Sequence, residues 1–127
     1  MSPVPVGLGE NIRSVMEDSM KMLKFRPWLA DMILRGEKTT TFRLLDDKDL
    51  QVGNEIELVN WETKEPFGKA IVLEAYDKEL GQLVEADFVG HEKYENEEQM
   101  YASFREFYGD QVTPETVVRI VRFKMLS

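Results

Sequence analysis

A lysine, a threonine and an arginine stand close together in the first third of the chain, and their types suit hydrolytic or anion-binding chemistry. Lys38 and Arg43 stand on either side of a run of three threonines, Thr39–Thr41, which taken alone is typical of a β strand. Amide hydrolysis needs a nucleophile, a proton shuttle and a donor for the developing oxyanion, and a threonine, a lysine and a carboxylate can supply them. The sequence therefore predicts a candidate site in this stretch.

The counts of cysteine and histidine limit what other chemistry this chain can perform. There is no cysteine, and His91 is the single histidine. These counts exclude disulfides, thiolate zinc sites, cysteine nucleophiles and any triad or metal cage that needs two imidazoles. A lone His91 is then expected to be a surface or turn residue, and the sequence predicts neither a metal site nor a cofactor.

The charges are unevenly distributed along the chain. Sixteen Lys and Arg against 24 Asp and Glu give a net charge of -8, which opposes non-specific binding of nucleic acid because the summed field repels phosphates. Residues 20–43 nevertheless carry a net +4, and residues 117–127 contain Arg119, Arg122 and Lys124 with no acid. If the fold brings these two basic stretches together, they form a local anion site on an acidic protein.

Residue patterning predicts the elements that must position these side chains. β-branched, aromatic and alternating apolar residues predict strands at 21–25, 39–44, 55–59, 69–76 and 117–123. Apolar spacing predicts a helix from Pro27 to Gly36, a short helix at 82–90 and a longer helix at 96–108 with Asn96 as its cap. The apolar run 70–73 is typical of a strand that is buried on both faces.

The order of these elements predicts the fold class. Several consecutive strands between the helices favour an α+β fold around a curved antiparallel or mixed sheet over repeated βαβ units. Closing that sheet as a small barrel should place residues 117–123 near residues 21–25. Trp28, Phe104 and Tyr108 lie at helical core spacing and are expected in the core, whereas Trp61, beside a turn, is the better candidate for stacking on a ligand.

Length and hydropathy set the domain organisation. A chain of 127 residues predicts one domain at 20–127, and the Pro- and Gly-rich start predicts a tail or a short docked helix at 1–19. No apolar run approaches the roughly 20 residues that cross a bilayer, and the start does not resemble a secretory signal. We therefore expect a cytoplasmic protein with no membrane partner.

The stretch at 36–43 resembles the signature of the ASCH family in the PUA-like superfamily. That signature is G-x-K-x-x-x-x-R after a first helix, and Gly36, Lys38 and Arg43 match it. Residues 23–28 and 118–123 also look like the first and last strands of that family, so the resemblance covers roughly residues 20–126. It implies a PUA-like curved or barrel-closed sheet with flanking helices.

The resemblance also implies roles for individual residues. Some small bacterial ASCH proteins are amidohydrolases that remove the acetyl group from N-acetylated cytidine nucleosides with a Lys, a Thr and a Glu. Carried onto this sequence, Thr41 is the nucleophile, Lys38 its base and Glu92 the proton shuttle, with Arg43 as electrostatic support. The residues that follow Glu92 depart from the family's pattern, so Glu95 stays open as the alternative carboxylate.

The base role places a physical demand on Lys38. The amine must be substantially neutral, and both desolvation and the nearby charge of Arg43 are expected to lower its pKa. The side chain is also expected to reach solvent, so that its replacement would leave the fold intact.

Two classes of function remain open at this stage. The first is a metal-independent amidohydrolase that acts on an acylated nucleoside such as acetylcytidine. The second is an RNA-binding or RNA-processing module without small-molecule catalysis, in which Lys38, Arg43, Arg119 and Arg122 contact phosphates. The partner is accordingly a nucleoside-type small molecule or RNA, and Trp61 is a stacking candidate for both.

Overall fold

The computed structural model describes residues 20–44 and 48–126. The tail or short helix predicted at 1–19 lies outside these residues. The described elements are, in chain order, β1 Met20–Phe25, α1 Pro27–Leu34, β2 Thr40–Leu44, β3 Glu55–Asn60, β4 Pro66–Glu79, α2 Glu97–Tyr108 and β5 Val117–Met125. Two 3-10 turns, Leu80–Gln82 and Glu85–Phe88, lie between β4 and α2.

The strands form one mixed sheet in the order β1-β3-β4-β5-β2. β1 pairs with β3 in parallel, and every other neighbouring pair is antiparallel. The sheet curls into a half-barrel with two helices, which confirms the predicted α+β class. β1 does not hydrogen-bond to β5, but Leu23 and Phe25 of β1 share one buried core with Val121 and Phe123 of β5. The first and last strands therefore meet through side chains across the curl.

Both helices have the ends that the sequence predicts. Pro27 occupies the first turn of α1, and Gly36 has a φ of 79°, a left-handed conformation that glycine adopts without strain. Asn96 caps α2, because its Oδ1 accepts a hydrogen bond of 2.9 Å from the backbone N–H of Gln99. Phe104 of α2 is buried, as expected, in a second core formed with β2 and β5.

The short helix predicted at 82–90 is a 3-10 helix, Glu85–Phe88, and two other sequence expectations are wrong in detail. Leu73 of β4 is 53% exposed, because the outer face of the curled sheet is not covered there, so the run at 70–73 is not buried on both faces. Trp28 is 56% exposed instead of lying in the core, because the buried face of α1 is formed by Ala30 and Ile33.

Two sets of hydrogen bonds hold the second 3-10 turn against the sheet. Asp87, only 3% exposed, accepts hydrogen bonds of 2.8 Å from Tyr76 Oη, Lys78 Nζ and the backbone N–H of Val84. Arg122 of β5 donates to the carbonyl of Ala86 at 2.7 Å. The turn is therefore fixed to β4 and β5 before the chain reaches α2.

Hydrogen bonds join the residues just after the second 3-10 turn to the start of β2. The carbonyl of Gly90 accepts from the backbone N–H groups of Thr39 and Thr40 at 2.8 and 3.0 Å, and the carbonyl of Val89 accepts from Thr40 Oγ1 at 2.7 Å. Gly90 has a φ of 80°, and a Cβ there would lie 2.2 Å from Thr39 Oγ1. The positive φ favours glycine, and a Cβ here would also force the Thr39 side chain to move; this close approach brings the residues after Gly90 beside those before β2.

Replacing Gly90 with alanine should destabilise the protein more than replacing Gly36. Both glycines have positive φ, so each alanine carries a left-handed backbone cost of about 1–2 kcal/mol. A Cβ on Gly36 would meet no atom within 4 Å, whereas a Cβ on Gly90 would also clash with Thr39. Chemical denaturation of Gly90→Ala and Gly36→Ala measures the difference, and equal free energies of unfolding would contradict the close approach at Gly90.

Candidate active site

A cavity of about 660 Å³ opens between the end of β1, the first turn of α1, β2 and α2. Its volume falls in the range of about 300–1,000 Å³ that small-molecule sites occupy. Five residues predicted to bind or react with a ligand line it: Lys38, Thr41, Arg43, Trp61 and Glu92. A smaller cavity of about 370 Å³ lies on the other side of Lys93 and Tyr94 and contains none of these five.

Lys38 and Glu92 form a buried ion pair at the wall of the cavity. Lys38 is 2% exposed, and its Nζ donates to Glu92 Oε1 and to the carbonyl of Thr40, the latter at 2.8 Å. The expectation of a solvent-reaching lysine is wrong, because the segment that ends at Gly90 covers the start of β2. Glu95 is exposed and bonds through its backbone N–H to Gln99, so Glu92 is the carboxylate that contacts Lys38.

Burial and neighbouring charges act in opposite directions on this pair. Desolvation lowers the pKa of Lys38 below its usual value, the charge of Glu92 and its hydrogen bond oppose that effect, and the charge of Arg43 adds to the lowering. Both predicted causes of the lowered pKa are thus present. Burial by itself raises the pKa of Glu92, but the opposing effects, led by the charge of Lys38 and including the Lys38 hydrogen bond, hold that pKa below its usual value.

Thr41 and Arg43 lie on one face of β2, because side chains two apart on a strand point the same way. Thr41 is 5% exposed, and Arg43 packs with its guanidinium 4.9 Å from the centre of the Phe25 ring. Arg43 also donates to the carbonyl of Lys24 at 3.4 Å. This strand face therefore places a hydroxyl and a cation on the wall of the cavity that Lys38 also lines.

His91 is a wall residue of the cavity and is buried, so the expectation of a surface position is wrong, whereas the turn position is confirmed by the 2.9 Å hydrogen bond from its backbone N–H to the carbonyl of Phe88. Its ring stacks on Phe42 with 3.9 Å between centroids, and its Nδ1 lies 2.7 Å from the carbonyl oxygen of Glu92. Burial, followed by the charge of Lys38, lowers the pKa of His91 to about 4. The imidazole is therefore neutral at pH 7 and serves as an aromatic packing group.

The mouth of the cavity is aromatic and exposed. Trp61 is 50% exposed, and Trp28 and Phe107 are similarly exposed at 56% and 48%. The sequence identified Trp61 from its place beside a turn, but it assigned Trp28 to the core and placed Phe107 on the apolar face of the helix at 96–108. Helical spacing predicts that such residues lie on the buried face of a helix. It carries no information on whether a cavity opens at that face.

The structure does not bring Arg119 and Arg122 to the cavity. Arg119 bonds to Asp77 at 2.9 Å and to the carbonyl of Leu50 at 2.6 Å. Arg122 lies 3.3 Å from Glu74 and donates to Tyr76 Oη at 3.0 Å. Both arginines face acids of β4 in the β4–β5 register, so the second basic stretch is neutralised across the sheet rather than added to an anion site.

Two negative findings apply to residues 20–44 and 48–126. No group of three or more histidine, cysteine, aspartate or glutamate side chains in these ranges could hold a metal ion. No helix formed by them is long and apolar enough to cross a membrane.

Comparison with solved structures identifies similar folds. The ASCH domain from Lactobacillus crispatus matches with a TM-score of 0.65 and 20% identity, covering 84% of this chain and 79% of its own. An ASCH protein from Zymomonas mobilis matches with a TM-score of 0.62 and 16% identity, covering 84% and 68%. A DUF984-family protein from Enterococcus faecalis matches with a TM-score of 0.64 and 17% identity, covering 77% and 69%. No protein-family model and no curated protein matches this chain.

The buried imidazole predicts a loss of stability in mild acid. The unfolded chain takes up a proton near pH 6.5, whereas folded His91 does so only near pH 4, so the free energy of unfolding should decrease as the pH falls between these values. The decrease approaches about 1.4 kcal/mol per pH unit within that window.

Urea denaturation at pH 7, 6 and 5 would measure this effect, with His91→Phe as the comparison. The phenylalanine keeps an aromatic ring against Phe42 but does not titrate. The other titratable groups that face this position, Lys38, Glu92 and Tyr94, are the same in both proteins. The variant should show a shallower dependence of stability on pH. Parallel pH dependences in the two proteins would refute the assignment to His91.

Proposed function

We propose that this chain, which has the fold of the ASCH domains, is a metal-independent amidohydrolase that removes an acyl group from an acylated nucleoside such as acetylcytidine. Its PUA-like α+β half-barrel confirms, at the level of the fold, the resemblance seen in the sequence. The observation that carries the proposal is the buried Lys38–Glu92 pair on the wall of a cavity that Thr41 also lines. This pair supplies a base and a carboxylate to the cavity in which the hydroxyl lies.

The hydrogen bonds of Lys38 suit a general base. Its Nζ makes two donor interactions, one to Glu92 and one to the carbonyl of Thr40. A neutral amine has two N–H bonds and one lone pair, so deprotonated Lys38 keeps both interactions and retains its lone pair for a proton. Burial lowers the pKa of Lys38 and so increases the neutral fraction near pH 7.

The proposed reaction proceeds through an acyl ester of Thr41. The Thr41 hydroxyl attacks the amide carbonyl carbon while Lys38 takes its proton, and Arg43 stabilises the oxyanion. Glu92 relays the proton to the amine of the base as the C–N bond breaks. Water then attacks the ester with Lys38 as base, which releases the carboxylic acid and restores the Thr41 hydroxyl. The net reaction consumes one water and forms one acid and one amine.

The aromatic mouth fits the base of such a substrate. Half-exposed Trp61 offers a face on which a pyrimidine can stack, and Trp28 and Phe107 extend the apolar border of the opening. The acidic charge of the chain does not oppose entry of a neutral nucleoside.

The pH dependence of acetylcytidine hydrolysis tests the roles of Lys38 and Glu92. The value of kcat/KM should rise with pH through the pKa of Lys38, below 10.5. Glu92→Gln removes the charge that raises the pKa of Lys38, so the rise should move to lower pH while the maximum rate falls. Lys38→Met and Thr41→Val should each lower kcat by roughly 100-fold to 10,000-fold.

The matched control for this test is Glu95→Gln, which changes an exposed carboxylate three residues away. It should leave the pH profile and the rate at their wild-type values, measured in the presence of a chelator because the reaction needs no metal. Because Lys38 is buried, circular dichroism must show that each variant is folded. A Glu92→Gln profile that coincides with wild type would remove Glu92 from the mechanism.

RNA binding is the second candidate function, and the cations of the cavity favour it. Lys24, Arg26 and Arg43 line the opening together with aromatic rings that could stack on bases. The net charge of -8 and the ion pairs of Arg119 and Arg122 count against a long phosphate track.

Salt dependence separates the two functions. Binding of a generic RNA oligonucleotide that uses several phosphate contacts should weaken steeply between 50 and 200 mM salt, by roughly 1,000-fold for six such contacts. Hydrolysis of acetylcytidine should change little over the same range, because that substrate is neutral. One set of results would favour the binding module over the amidohydrolase. In that case RNA binds tightly and in a salt-sensitive way, Arg43→Gln abolishes the binding, and acetylcytidine is not hydrolysed.

A further inference from the structure

The cavity lining is strongly cationic although the protein is acidic. Among the described residues, the lining contains six cations and a single carboxylate, Glu92; the cations are Lys24, Arg26, Lys38, Arg43, Lys48 and Lys93. The whole chain carries a net charge of -8. Lys38 is paired with Glu92, and a neutral nucleoside has no anionic group that Lys24 and Arg26 could bind. A concentration of positive charge in one cleft raises the local concentration of small anions.

One of these cations, Lys24, lies beside the stacking candidate Trp61. The Nζ of Lys24 is 6.0 Å from the centre of the Trp61 ring, and the carbonyl of Phe25 accepts a 2.7 Å hydrogen bond from the Trp61 backbone N–H. This bond fixes Trp61 to the end of β1. Within residues 20–44 and 48–126, no carboxylate lies within 4 Å of the Lys24 ammonium.

Arg26 adds a planar guanidinium to the same edge of the cavity. It stacks 4.4 Å from the centre of the Phe107 ring, and the carboxylate of exposed Glu106 lies 3.9 Å from its Nη2, beyond hydrogen-bond distance. Its Nε is buried and has no hydrogen-bond partner among the described residues. The rest of the guanidinium is accessible, since the Arg26 side chain is 41% exposed, so its Nη groups can donate to an anionic ligand.

We propose that Lys24 and Arg26 bind the phosphate of a nucleotide whose base stacks on Trp61, so that the preferred substrate is an acylated nucleoside monophosphate rather than the free nucleoside. This inference rests on the proposed amidohydrolase function. The Lys24 ammonium lies over the Trp61 ring, 6.0 Å from its centre, so a phosphate attached to a base at that ring can reach it, whereas the other ammonium over the ring, Lys64 at 4.6 Å, does not line the cavity. The guanidinium of Arg26 suits bidentate binding of phosphate oxygens.

The charge distribution favours a single phosphate over an RNA chain. Arg119 and Arg122, the cations that could extend a phosphate track along β5, are held by Asp77 and Glu74. Outside the cavity, an RNA chain would meet the field of an acidic protein, which repels its further phosphates. A mononucleotide places its one phosphate in the cationic cleft and avoids this repulsion.

The test compares hydrolysis of acetylcytidine with hydrolysis of its 5′-monophosphate. The wild-type kcat/KM should be at least about 10-fold higher for the monophosphate, since a charge-assisted contact contributes that much or more. Lys24→Ala and Arg26→Gln should each move the ratio of the two values toward 1. Lys69→Ala removes an exposed lysine of β4 that does not line the cavity, and it should leave the ratio unchanged.

A binding measurement on the hydrolysis products keeps this inference separate from the proposed function. Isothermal titration should show that cytidine 5′-monophosphate binds at least about 10-fold more tightly than cytidine, and that Lys24→Ala abolishes the difference. This result without any hydrolysis supports the nucleotide site and refutes the amidohydrolase. Hydrolysis of both substrates at equal kcat/KM overturns the nucleotide site and leaves the amidohydrolase in place. An acetylated oligonucleotide that is hydrolysed faster than the mononucleotide also overturns the inference, in favour of RNA.

Discussion

The candidate site depends on the burial of one ammonium group, that of Lys38, against the carboxylate of Glu92. Removing two charges from water is costly, and their attraction compensates only where the geometry is good and the remaining hydrogen bonds are made. The carbonyl of Thr40 supplies a second acceptor for Lys38. Because Lys38 and Glu92 are 54 residues apart, the pair exists only when Gly90 is attached to the start of β2.

The same burial gives the site its chemical character. Desolvation makes the amine of Lys38 a stronger candidate base near neutrality by lowering its pKa, while Glu92 keeps the ammonium from being an uncompensated charge. The two effects oppose each other, so the protonation state of Lys38 responds to small changes around it. His91 contributes to this environment without a charge of its own, because it remains neutral within an aromatic cluster with Phe42.

The curl of the sheet explains why a cationic cavity can exist in an acidic protein. It brings the edge strands β1 and β2 near each other, so that Arg43 of β2 donates to the carbonyl of Lys24 on β1. Cations from both edges thus face one opening, whereas the acids of β4 are engaged by arginines of β5 on another part of the sheet. The electrostatic potential of the site is therefore set by which strands carry the cations and which carry the acids, and not by the net charge of the protein.

The sequence by itself determined the local structure and part of the site. Alternation and apolar spacing predicted the five strands and both helices, Gly36 and Asn96 marked helix ends, and the spacing of Thr41 and Arg43 placed them on one face of a strand. These features depend on residues that are close together in the chain. The short repeat of a helix or a strand is directly visible in the spacing of the apolar residues.

The tertiary structure decided which of those residues meet and how deeply they are buried. It placed Lys38 in the interior, selected Glu92 over Glu95, exposed Trp28 and gave Arg119 an acidic partner on another strand. Each outcome depends on which distant segment of the chain covers a given face of a strand or helix. The order of the strands and the curl of the sheet set that arrangement, and local sequence periodicity carries no information about either.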